Sequence, residues 1–109
     1  MDAKNAAVVF ESEFLHIISD ATKESFKNII IERIDNGFIM KLGEVVEPLI
    51  MFKATGIFDK NMISDFLTKV KEQIPESEYE VGYDSMTIIN LPKAPIVPAI
   101  IFVYLIPTK

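Results

Sequence analysis

The sequence predicts an α+β fold: an antiparallel sheet of about six strands with two helices on one face, in the order αβββ-αβββ. Three observations carry this. Phe14, Ile17, Ile18 and Ala21 recur at i, i+3, i+4, i+7, the spacing of one helix face. Met62, Ile63, Phe66, Leu67, Val70 and Ile74 form a second, longer stripe of the same period. Between and after these stripes lie β-branched or alternating apolar runs, separated by turn residues.

Taken in order, residues 1–5 read as a loose end, and Ala6–Phe10 fits either a short strand or a first helical turn. Ser12 is placed to cap the first helix, whose polar side carries Glu11, Glu13, His16, Asp20 and Lys23. This helix should fade by Lys27. Asn28–Lys53 follows and is expected to organise the sheet. Asp35-Asn36-Gly37 separates two apolar runs, and Asn and Gly tolerate the positive φ of a tight hairpin turn. The predicted hairpin lies mid-sheet. Ile29, Ile31 and Arg33 share one face of its first strand, and Ile30, Glu32 and Ile34 the other. Phe38, Met40 and Leu42 line one face of the second. Gly43 and Pro48 mark a bend, and Leu49–Lys53 a third strand closed by Ala54-Thr55-Gly56.

Asp59 is placed to cap the second helix and Pro75 to end it, since proline cannot supply the next N–H. Glu76-Ser77-Glu78 reads as a turn, and Tyr79, Val81 and Tyr83 as the inward side of a half-buried strand. Asp84-Ser85 signals a turn before a strand over Met86–Leu91. Pro92, Pro95 and Pro98 then interrupt the chain. Ala99–Ile106, continuously apolar, reads as a strand buried on both faces.

The 109 residues form one domain, 1–109, with half-units 6–54 and 57–107. At an offset of 49, Phe14, Ile17, Ile18 and Ala21 fall on Ile63, Phe66, Leu67 and Val70. At the next offset, Pro48, Ile50 and Phe52 meet Pro98, Ile100 and Phe102. Such matches fit either chance between two amphipathic helix-plus-hairpin units or an ancient duplication, and a duplication implies a pseudo-two-fold domain.

Composition narrows the function classes. Half the residues are hydrophobic and a quarter charged, as in a folded domain. There is no cysteine, hence no disulfide scaffold and no thiolate metal site, which fits a reducing compartment and a cytoplasmic location. No basic-then-apolar leader opens the chain. Net charge is −5, Arg33 is the only arginine and no lysine cluster occurs, so strong autonomous nucleic-acid binding is not expected. The apolar segment Ala94–Pro107 is shorter than the roughly 20 residues of a membrane-spanning helix and is broken by prolines, so no membrane association is expected.

Candidate sites weigh little. Glu13, His16 and Asp20 share a helix face but lack a second His or any Cys, so the bland reading is a solvated face. Ser12 and Ser19 sit in no nucleophile motif. Glu76, Glu78 and Glu80 alternate, either as a weak cation site or, more simply, as a charged edge that resists aggregation. The isolated glycines form no phosphate loop. Arg33 needs a carboxylate if its face is buried, supplied by Glu44, Glu47 or a neighbouring subunit; otherwise it lies over a solvated face. No cofactor, metal or catalytic residue is expected.

What remains is a non-enzymatic protein-interaction module, oligomeric and most simply a homodimer, binding through Ile100, Phe102 and Tyr104 if the last strand lies at the sheet edge. Its acidic, Ile- and Lys-rich composition is compatible with an accessory factor of a phage or mobile element. Two alternatives stand beside this. A helix-plus-three-strands unit used twice, ending in Phe102-Val-Tyr-Leu-Ile-Pro107, resembles one domain of a DNA sliding clamp and implies a subunit of a replication or repair complex. Against it, Glu13/Asp20 and Asp65/Glu72 are not a basic channel lining. A small-ligand-binding domain with Tyr79, Tyr83 or Tyr104 as polar handle is the other.

Overall fold

The computed structural model describes residues 1–24, 29–87 and 96–108. Its elements are α1 (Ala3–Glu24), β1 (Ile30–Arg33), β2 (Ile39–Lys41), β3 (Glu44–Val46), β4 (Ile50–Asp59), α2 (Lys60–Gln73), β5 (Tyr79–Thr87) and β6 (Ile96–Pro107). The fold is α+β. Four strands form an antiparallel sheet in the order β1-β4-β6-β5, and β2-β3 is a separate hairpin.

α1 begins earlier than its apolar stripe. Asp2 caps it, accepting the Asn5 N–H on Oδ1 at 2.8 Å while its carbonyl accepts the Ala6 N–H at 3.0 Å. The predicted loose end is therefore helical, and Ser12 lies exposed in mid-helix rather than capping it. Ala6, Phe10, Phe14, Ile17 and Ile18 form its buried stripe. The side chains of Asp20, Ala21 and Lys23, and Lys27 altogether, lie outside the described residues. α2 starts directly after Asp59, buries Met62, Ile63, Phe66, Val70 and Ile74, and stops short of Pro75, as predicted.

Both helices lie on one face of the sheet. Residues opposite one another across a ladder share a face. Phe52 stands opposite Val103, Ala54 opposite Ile101 and Ile50 opposite Leu105, and all six are buried in the core against the helices. Four rings lock the layers together. Phe66 meets Phe10 and Phe14 edge-on, both at 5.3 Å, and Phe14 stacks on Phe52 at 5.4 Å.

The register overturns several expectations. β1 does not pair with β2; its four residues pair with Phe52–Thr55 of β4, so it is an edge strand. The tight hairpin turn is Leu42-Gly43, where φ is 52° and 81°, both positive as a type I′ turn requires. Asn36 also takes a positive φ, 59°, but there the chain turns off the sheet into the hairpin. β4 does not close at Ala54-Thr55-Gly56 but runs on to Asp59, because β6 offers every residue a partner. Asp84-Ser85 is likewise strand, paired with Phe102 and Ile101. The strand expected over Met86–Leu91 runs into residues outside those described, as do Pro92 and Pro95. β6 passes through Pro98, one residue beyond the last described pair with β5, Thr87↔Ala99.

Among the described residues the order is thus αββββ-αββ, with β2-β3 an addition to the first half. Without it, each half is a helix and two paired strands, and the sheet order β1-β4-β6-β5 is symmetric about the β4–β6 seam. The offset that aligns Phe52 with Phe102 joins opposite faces, since Phe102 stands opposite Lys53. An offset of 49 keeps faces, matching Phe52 with Ile101 and Ala54 with Val103.

Phe66 is fully buried where the helices and sheet meet. Phe66→Ala is expected to cost about 3–5 kcal/mol in denaturant unfolding, as other large-to-small core changes do. A loss below about 1 kcal/mol would mean that α2 does not pack through this ring.

Candidate functional site

Ile100, Phe102 and Tyr104 share the sheet face turned away from both helices. β6 is not at the sheet edge: β4 and β5 flank it, so these residues cannot form a seam by edge pairing. They line an outer face instead. The expectation that this strand is buried on both sides holds for the core side, whereas on the outer side these three are half-buried and Ile106 is buried.

The ladders set this outer face out in rows. Ile30, Thr55, Ile100 and Met86 form one row across the four strands; Glu32, Lys53, Phe102 and Asp84 form the next. Met51, Tyr104 and Gly82 form a third, and Ile106 and Glu80 a fourth. Exposure divides the rows. Met51 and Ile106 are buried although neither belongs to the helix-covered core. At the other end Ile30, Ile57 and Met86 are 60, 50 and 65% exposed.

The β2-β3 hairpin reaches across the covered end. Gly37 lies so close to Met51 that an added Cβ would stand 3.2 Å from its sulfur. Lys41 Nζ donates to Glu80 Oε2 at 2.6 Å, tying the hairpin to the far edge strand. Ile39, Lys41 and Val46 are half-buried, whereas Phe38, Met40 and Val45 are 63–65% exposed and Leu42 95%. Met40 and Val45 stand opposite one another, so the hairpin turns an apolar face outward. Few monomers leave so many large apolar side chains bare in one place.

Tyr104 is the polar centre of the outer face. Its ring lies over Gly82, where an added Cβ would come within 2.5 Å of the ring and push it aside. Glu80 and Asp84 flank Gly82 on the same face. Burial holds the phenol above its usual pKa, the Asp84 and Glu80 carboxylates push it further, and Lys41 partly offsets them.

The remaining candidates scatter. His16 is exposed on α1, and Glu13 accepts a hydrogen bond from Gln73 Nε2 at 2.7 Å, linking α1 to α2. Glu76 and Glu78 belong to the turn before β5, not to a strand face, and Glu78 pairs with the Met1 ammonium at 3.0 Å. Among the described residues no group of three or more His, Asp or Glu is placed to hold a metal. Arg33 lies at the exposed sheet edge, 3.7 Å from Glu11 and 3.6 Å from Asp35; neither Glu44 nor Glu47 is its partner. Two open grooves of about 390 and 420 Å³ flank Tyr79, whose hydroxyl donates to the Met1 carbonyl at 2.9 Å. Among the described residues no buried side-chain polar atom lacks a partner, so neither groove presents one to a ligand. The exposed positions of α2 interleave Asp65, Lys69, Lys71 and Glu72, a mixed surface rather than a basic wall. No helix among the described residues is long and apolar enough to cross a membrane.

No protein-family model matches the chain, and no curated protein or solved structure does either. The functional reading therefore rests on this geometry.

A phenol with a raised folded-state pKa adds stability below its unfolded value of 10.0, and that stability is lost as pH rises through the folded value. Thermal unfolding at increasing pH should show a stability loss above about pH 10 that is smaller in Tyr104→Phe. Equal losses in both proteins would place Tyr104 in open solvent.

Proposed function

We propose that this protein is a non-enzymatic protein-interaction module that binds through the outer face of its sheet, from a cytoplasmic setting. The observation that carries the reading is the apolar surface left bare there. Ile30, Ile57 and Met86 lie exposed around half-buried Ile100, one row from Phe102, and Phe38, Met40, Leu42 and Val45 are the exposed apolar residues of the hairpin segment. Glu32, Lys53 and Asp84 form one charged row with Phe102 across this surface, and the row of Ile30, Thr55, Ile100 and Met86 beside it carries no charge. Tyr104 and Phe102 are the aromatic anchors that interfaces favour. Among the described residues no comparable set of convergent polar groups favours an enzyme or a ligand site, and the mixed charge of the exposed α2 positions favours no nucleic-acid channel.

Affinity purification with three proteins tests this: wild type, Phe102→Lys on the outer face, and Val8→Lys on the exposed side of α1. Wild type and Val8→Lys should recover the same protein in near-equal amount with the bait, a second differently tagged copy of the chain included. Phe102→Lys should lose it while keeping its circular dichroism. Equal recovery by all three would place binding elsewhere, and recovery of nothing by any of them would remove the reading.

A further inference from the structure

The outer face is half covered and half bare, and the cover itself is bare on its far side. Met51 and Ile106 lie buried under the hairpin end, while Ile30, Ile57 and Met86 are open at the other end. The hairpin's outward residues, Phe38, Met40, Leu42 and Val45, carry no charge. The open row Ile30, Thr55, Ile100 and Met86 carries none either. The charged row Glu32–Lys53–Phe102–Asp84 separates the two halves. Resting on the interaction-module reading, we infer that the occupant of the open half is the hairpin of a second copy of this chain, and that the protein is a reciprocal two-fold dimer.

The symmetry follows from this layout. A two-fold axis that runs across the strands along the charged row carries each hairpin from the covered half of its own sheet onto the open half of the other. Each hairpin then packs Ile39 and Val46 against its own sheet and Phe38, Met40 and Val45 against its neighbour's. Two hairpins side by side fill one layer between the sheets, and the contact closes on itself, leaving no exposed repeat of the interface. Because the axis preserves position across the sheet, β5 lies over β5. The hairpin tip, which Lys41 ties to β5, therefore meets Met86 of the second copy.

Area and backbone geometry agree with this occupant. The exposed parts of Phe38, Met40, Leu42, Val45, Ile30, Ile57 and Met86 come to roughly 800 Å², about what one partner gives to a standard interface. Leu42 holds a φ of 52° at the hairpin apex, in the region where glycine or asparagine is at ease, and is 95% exposed. In a monomer that leucine is strained and bare, so the turn gains nothing from it. Seated beside Met86 of a second copy, it buries a large side chain at the point of contact. Backbone strain concentrates at such functional contacts.

Light scattering across a concentration series gives the mass, and cysteine pairing gives the geometry. The chain has no cysteine of its own, so introduced thiols report single contacts. Leu42→Cys mixed with Met86→Cys should form a disulfide-linked pair on oxidation, whereas neither variant alone, nor Val8→Cys mixed with Met86→Cys, should do so. Wild type should have the mass of a dimer. Met40→Lys and Met86→Lys, on the two opposed surfaces, should each raise the dissociation constant at least tenfold with unchanged circular dichroism. A monomer at every concentration overturns the inference; if Phe102→Lys then still abolishes recovery of a different protein, the interaction reading survives without it. A dimer that both lysine variants leave intact, or that forms no Leu42–Met86 link, also overturns it by placing the contact on another surface.

Discussion

Ten residue pairs between β4 and β6, from Ile50↔Leu105 to Asp59↔Ile96, hold together parts of the chain about half its length apart. Closing so long a loop is costly in entropy, and the pairing repays this by making several other contacts possible at once. Every second residue of both strands faces the helices, giving Phe10, Phe14 and Phe66 a floor of Phe52, Ala54, Ile101 and Val103. β1 and β5 then each need only one neighbour. Without this ladder the two amphipathic helices would have no common surface to cover, and neither would be stable alone.

The two faces of the ladder meet different fates, and function follows from the difference. On the helix side, two amphipathic stripes match the width of the four strands and exclude water. On the other side, among the described residues, a six-residue hairpin ladder reaches across one end, where Met51 and Ile106 are buried. Among the described residues the ion pair between hairpin and sheet, Lys41 to Glu80, has both side chains partly exposed and contributes on the order of 1 kcal/mol or less. An element so lightly attached to its own sheet, with its apolar side outward, is better suited to bridging two molecules than to finishing one.

Much of the helix layer is legible in the sequence because the 3.6-residue period is a local property: Met62 to Ile74 announces which side of α2 is buried without reference to anything else. Strand ends are less so. Ala54-Thr55-Gly56 and Asp84-Ser85 carry local breaker residues, yet each stays in strand because β6 lies alongside, a long-range pairing that local propensity does not report. The tight turn was displaced from Asn36-Gly37 to Leu42-Gly43 for a related reason. Asn36 does take a positive φ, but β1 finds its partner in β4, and a leucine at a left-handed position gives no signal of a turn. For the candidate site, the alternation of Ile100, Phe102 and Tyr104 shows that they share a face. That they lie beside Lys41, Glu80 and Gly82 depends on sheet order. Phe38, Met40 and Leu42 are readable as one face of a strand, but not as an outward one.

On the proposed reading, the long β4–β6 ladder carries a hairpin that a second molecule would stabilise. Native-state hydrogen exchange, followed by mass spectrometry at low and high protein concentration, tests this most directly. The account predicts that amides of β4 and β6 exchange only through global unfolding at both concentrations. Amides of β2 and β3 should exchange much faster when dilute and gain protection as concentration rises. Hairpin amides as protected as those of β4 and β6 in dilute solution, with no change on concentration, would contradict it.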